Sequence, residues 1–128
     1  IGNKIVYTST TPALALLETL AWTAMSLLLE SGFVMITISC PDDDIKEIRL
    51  EDLPKDWNSG LDAYPKTQKI GDQWLQDKSS LLLRVPSALL PMESNVLINP
   101  AHPSLSSVII KEMHYVLLDK RLIEHRAQ

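Results

Sequence analysis

From Pro12 to Leu29 the chain runs eighteen residues with a single formal charge, Glu18. That run constrains the fold more than any other stretch. A membrane span needs about 20 predominantly apolar residues. This segment is barely long enough, and Pro12, Thr19, Trp22, Thr23 and Ser26 dilute its apolar character. The run therefore reads as a helix of a soluble globule with most of its surface covered. Its ends are signposted. Thr10-Thr11-Pro12 offers an N-cap followed by proline in the first turn, and Gly32 offers the residue just past the end. One long helix to about Ser31 is predicted.

The flanking segments supply a sheet. Ile5-Val6-Tyr7-Thr8-Ser9 is a short β-branched and aromatic strand signal, and Phe33 to Cys40 is another, closed by Pro41 and the acidic turn Asp42-Asp43-Asp44. Ile45 to Leu50 alternates apolar and charged residues, as a half-solvated strand does. Glu51 to Tyr64 has no period and reads as an ordered loop. Pro65 opens a second helix with Ile70, Trp74 and Leu75 inward. Leu81 to Val85 is a buried strand ending at Pro86-Ser87. Further strands are expected at Val96 to Ile98, Val108 to Met113 and Tyr115 to Leu118, ahead of a charged tail. Two helices among five to seven strands describe an α+β domain rather than a regular βαβ alternation. With 128 residues, 45% hydrophobic and 22% charged, one core is expected and no second domain.

Several function classes fall away. Twelve basic against sixteen acidic groups leave a net charge of −4, a poor footprint for direct nucleic-acid binding. Cys40 is the single cysteine, which excludes an intrachain disulfide and, without a secretory signal pattern, favours a reducing cytoplasm. His102, His114 and His125 match no metal-ligand spacing, and Asp42 to Asp44 lack the glycine turn and distal glutamate of a calcium loop. A solvated acidic turn is expected there. No Gly-rich phosphate loop, G-x-S-x-G or H-E-x-x-H is present.

Three residues stand out as candidates. Glu18 has Leu14, Ala15, Ala21 and Trp22 as its helical neighbours. Such a carboxylate either needs hydrogen-bond donors or a cation, or lies on a narrow solvated stripe. Tyr7, at the end of the first strand, is a core or rim aromatic, or a platform for a flat ligand ring. Ser87, at the mouth of a buried strand, is a turn residue or a functional loop residue. From the residues alone these alternatives stay open.

The same segments, taken in order, resemble the RES domain family. Ile5 to Ser9 with Pro12 to Glu18 is similar to its strand, turn and glutamate-bearing helix. Leu53-Pro54-Lys55-Asp56-Trp57 resembles its LPxDW loop, Thr67 to Leu75 its second helix, Leu81 to Ala88 (LLLRVPSA) its characteristic strand, and Asn95 to Pro103 (NVLINPAHP) its N.liNP.Hp segment. The family is named for an arginine, a glutamate and a serine. Glu18 and Ser87 match the last two. Gly2 matches the glycine of a preceding segment. Residues 1–128 are thus expected to form one RES domain lacking the upstream arginine-bearing strand, and neither Arg49 nor Arg84 has the context to replace that arginine. Trp22 stands where many members carry histidine.

The resemblance implies an ADP-ribosyltransferase-like mixed sheet and a bacterial toxin that consumes NAD⁺ as substrate, with no metal. Glu18 and Ser87 would be its catalytic residues. Glu18 would contact the nicotinamide ribose, Tyr7 would stack on nicotinamide, and Ser87 would hydrogen-bond the substrate and orient it. The acceptor would be water, phosphate or a protein side chain. The implied partner is an Xre-type helix-turn-helix antitoxin, through which any DNA association would run. A catalytically silent interaction domain is the alternative, and a carboxylate hydrolase unrelated to NAD⁺ ranks behind it.

Overall fold

The computed structural model describes residues 4–58 and 64–124. The readings placed on Gly2 and His125, and part of the loop expected over Glu51 to Tyr64, lie outside them. Strands β1 (Val6–Ser9), β5 (Ser94–Ile98), β4 (Leu82–Pro86) and β3 (Ile45–Glu47) form one sheet in that order. β1 and β4 both run antiparallel to β5, while β3 is parallel to β4. A parallel pair needs a long crossover, and helix α3 (Tyr64–Asp77) lies within it. Strands β2 (Phe33–Ser39) and β6 (Ile109–Val116) form a separate antiparallel ribbon. The mixed α+β character expected from the sequence is present.

Alternation of side chains sorts the four-stranded sheet into two faces. One face aligns Tyr7 with Leu97 and Leu83, and Ser9 with Asn95 and Val85. Trp74 and Leu75 of α3 pack there with Leu83 and Leu97. Trp74 is 2% exposed, and its indole Nε1–H donates to Ser80 Oγ at 2.9 Å. The opposite face presents Leu82 and Ile98, which with Leu81 pack against Ile38 of the ribbon and against Cys40 and Val108 at its end. Each fully buried leucine or isoleucine stabilises the fold by roughly 1.5–3 kcal/mol relative to exposure. Beyond that anchoring the ribbon is open to solvent, with Val34, Ile36, Met113 and Tyr115 exposed.

The long helix is corrected. Helix α1 spans Pro12–Trp22 and a second, α2, spans Met25–Ser31. Thr23 and Ala24 between them take extended backbone angles. The Thr19 hydroxyl donates back to the Ala15 carbonyl at 2.8 Å, a bond that competes with regular helix geometry, and Thr23 is a β-branched residue with low helix propensity. Both predicted ends hold. Thr11 Oγ1 accepts from the Leu14 N–H at 3.2 Å, and Gly32 sits at φ 68°. Other boundaries shift. β3 stops at Glu47 and gives way to a 3₁₀ turn at Leu50–Asp52. The two strands expected over 108–118 are one, β6, whose pairing with β2 continues through His114. Asp44 is not merely solvated: its Oδ1 accepts from the Leu81 N–H at 3.0 Å and so tethers the start of β4.

Gly32 is held by more than its backbone angle. A Cβ there would lie 2.6 Å from the Val116 carbonyl oxygen and 2.7 Å from the Tyr115 hydroxyl. Gly32→Ala is therefore expected to destabilise the fold by about 1–3 kcal/mol, the cost of a left-handed non-glycine residue with a clash added. Denaturant unfolding of the variant measures it.

Candidate active site

The site is assembled where β1 turns into α1 and where β4 turns back into β5. Four consecutive hydroxyl residues, Thr8 to Thr11, meet Val96 to Glu93 in antiparallel order. Thr8 Oγ1 donates to the Val96 carbonyl at 2.6 Å and Ser9 Oγ to Asn95 Oδ1 at 2.7 Å. The Thr10 N–H and hydroxyl both reach the Ser94 carbonyl, at 3.2 and 3.1 Å. Thr11 Oγ1 donates to Glu93 Oε1 at 3.1 Å while capping α1. This zipper fixes where α1 leaves the sheet.

Along α1, residues four apart share a face. Leu14 is 1% exposed, Glu18 is half-buried and Trp22 is 81% exposed. One stripe of the helix thus runs from the core to solvent, with Glu18 at the boundary. Its carboxylate is not on a solvated stripe. Oε1 accepts from Ser87 Oγ at 2.7 Å and from Asn95 Nδ2 at 3.1 Å. Two of the three predicted residues are therefore in direct contact, 69 positions apart in sequence.

Ser87 is fully buried. A serine hydroxyl has one proton and two lone pairs. The proton goes to Glu18, and the oxygen accepts from the N–H groups of Leu89 and Leu90, both at 3.1 Å. With the Ser87 N–H donating to the Glu93 carbonyl at 2.9 Å, these bonds close the tight 87–93 loop. The hydroxyl has no bonding capacity left over. Tyr7 lies on the sheet face that holds Ser9 and Asn95, with 72% of it exposed. A cleft of about 380 Å³ between Arg49 and Glu51 on one wall and Pro86, Pro91 and Ser94 on the other borders the 87–93 loop. None of the three predicted residues lines it.

Asn95 and Ser9 were not singled out from the sequence. A signal existed: asparagine is depleted in strands, so an asparagine opening the apolar Val96-Leu97-Ile98 run calls for a partner. Ser9 is two residues beyond Tyr7, hence on the same face. The other polar candidates are elsewhere. His102 Nδ1 accepts from the Ser104 N–H at 3.0 Å, and His114 is exposed beside Glu112. Burial pushes the Cys40 thiol up, away from a reactive thiolate. Among the described residues no group of three histidine, cysteine or acidic side chains could hold a metal ion, and no helix is long and apolar enough to cross a membrane.

Residues 1–119 match the RES domain. The chain belongs to the RES family. The RES domain here is 33% identical over 126 residues to a protein named Toxin Res from Photorhabdus laumondii, covering 97% of this chain and 79% of that one. A Toxin Res from Yersinia enterocolitica is 38% identical over 108 residues, covering 84% and 70%. A Prs ADP-ribosylating toxin from a Sphingobium species is 34% identical over 131 residues, covering 96% and 77%. Glu18, Ser87 and Asn95 all fall inside the matched RES region.

Chemically, the arrangement presents a carboxylate with a fixed orientation at the edge of an apolar core, suited to stabilising positive charge that develops in front of it. Ser87→Ala removes one donor to that carboxylate and leaves two loop N–H groups without their acceptor. A loss of about 1–3 kcal/mol in unfolding free energy is expected, together with raised hydrogen exchange at Leu89 and Leu90.

Proposed function

We propose that this RES domain is a toxin that consumes NAD⁺ by cleaving the bond between nicotinamide and ribose, on a fold of the ADP-ribosyltransferase type. The observation that carries this reading is the Glu18 carboxylate, held at 2.7 Å by Ser87 and at 3.1 Å by Asn95. Membership of the RES family and the similarity to a protein named as an ADP-ribosylating toxin support the substrate.

In the proposed reaction the C1′–N bond breaks and its electron pair leaves with nicotinamide. The ribose then carries positive charge at C1′ and its ring oxygen. Glu18 faces that charge, a stabilisation realised only in the transition state. An oxygen nucleophile (water, phosphate or a protein side chain) forms the new bond to C1′ and releases its proton. Tyr7 supplies an exposed ring for nicotinamide to stack on. Ser87 acts through Glu18, because its hydroxyl is already saturated. In the cytoplasm such an activity needs restraint, and an antitoxin covering this face, of the Xre helix-turn-helix type, is the proposed partner. DNA contacts would belong to that partner, in keeping with the net charge of −4.

The test is release of nicotinamide from NAD⁺ by the toxin freed of its antitoxin. Glu18→Gln keeps the size of the side chain and should lower turnover by about 10²–10³-fold, the usual effect of losing one preorganised electrostatic group. Tyr7→Ala should instead raise KM for NAD⁺ by about 3- to 10-fold, in line with the roughly 0.5–1.5 kcal/mol of a ring–ring contact. No nicotinamide release from the wild-type protein would leave a silent interaction domain as the better description.

A further inference from the structure

The Glu18 carboxylate has two donors, and the family's name accounts for only one of them. The second is the side-chain amide of Asn95, on the central pair of strands in the sheet. Its direction is chemically determined. A carboxylate only accepts, so the amide nitrogen must face it and Oδ1 must point the other way. There Oδ1 meets the Ser9 hydroxyl, which donates at 2.7 Å. Ser9 and Asn95 are register partners across β1 and β5, and Asn95 and Val85 are partners across β5 and β4. The three strands that carry the glutamate's helix, the asparagine and the serine loop are thus joined by one chain of side-chain bonds: Ser9 to Asn95, Asn95 to Glu18, Ser87 to Glu18.

We propose that Asn95, locked in orientation by Ser9, is a positioning residue that sets the plane of the Glu18 carboxylate. The inference rests on the reading of Glu18 as the acid of the NAD⁺ reaction. Both donors meet the same oxygen, Oε1, and no hydrogen bond among the described residues reaches Oε2. Ser87 alone leaves the carboxylate free to pivot about Oε1; a second donor at that atom removes the pivot and aims Oε2 in one direction. Without the Ser9 hydroxyl the Oδ1 end of the amide loses its donor, and the amide is held at one end only, by Glu18. Ser9 therefore matters only through Asn95.

The expected consequences differ from those of a residue that merely supports the fold. Asn95→Ala should lower kcat for nicotinamide release by about 10- to 100-fold while KM for NAD⁺ changes by less than about 3-fold, because the loss is one of alignment at the reacting centre. Ser9→Ala, a smaller change at the edge of the array, should lower kcat by about 3- to 10-fold on the same grounds. In the Asn95→Ala background it should lower kcat no further, since the two residues act as a unit. The contact itself is read without turnover, from the side-chain amide resonances of Asn95 in the ¹⁵N-labelled full chain. Glu18→Ala should move them; unmoved resonances in a folded Glu18→Ala protein overturn the proposal whatever the activity. Turnover that depends on Glu18 but is unaltered by Asn95→Ala and Ser9→Ala also overturns it, and leaves the NAD⁺ reading standing. Resonances that move in a protein releasing no nicotinamide uphold the array and sink the NAD⁺ reading instead.

Discussion

A carboxylate on a leucine-rich helix must find hydrogen-bond donors, and the fold is arranged around meeting that need. Leaving a partly buried polar group without partners costs about 1–3 kcal/mol, an appreciable part of the 5–15 kcal/mol by which a domain of this size is stable. Glu18 avoids the cost with a serine that follows β4 and an asparagine from β5. Those strands are neighbours, their connecting loop is closed by the same serine, and β1 delivers the helix that brings the acid to them. Removing the carboxylate would take the acceptor from the amide of Asn95 and from the hydroxyl of Ser87. Fold and site share these bonds.

The two faces of the sheet divide the labour. One is dry, with Leu82 and Ile98 closed over by the ends of the β2–β6 ribbon. The other is apolar over Leu83 and Leu97, where α3 covers it, and polar toward Ser9 and Asn95, where α1 arrives. The change of character occurs within single strands, over two residues. Leu97 and Asn95 point to the same side of β5, one into the core and the other toward the acid. A packed hydrophobic layer thereby adjoins the polar groups and helps to hold them in place.

Much of this was legible from the residues. Local chemistry announced both ends of the apolar run: a threonine cap before proline, and a glycine where a left-handed residue meets the Val116 carbonyl. The RVPS segment and the glutamate were readable as a pair through family resemblance, and they lie 2.7 Å apart. What could not be read was either weakly marked or had non-local causes. The break at Thr23 and Ala24 has no proline or glycine to mark it. Strand β6 passes through Glu112 and His114 because β2 is long enough to pair with it, information held 75 or so positions upstream. Asn95 was legible only as the first residue of a family segment, and not as a partner of Glu18, because its partners Ser9 and Glu18 are 86 and 77 residues away.

The hydroxyl zipper at Thr8 to Thr11 has a mechanical consequence. Helix α1 is a lever pivoted at Thr11, and Glu18 lies seven residues out, about 10 Å along the axis at 1.5 Å per residue. A tilt of only about 6° at the pivot swings the carboxylate by about 1 Å, a displacement that can cost an enzyme about 10²-fold in rate. Small polar side chains at a strand end thus set where the Glu18 carboxylate sits through angular gain.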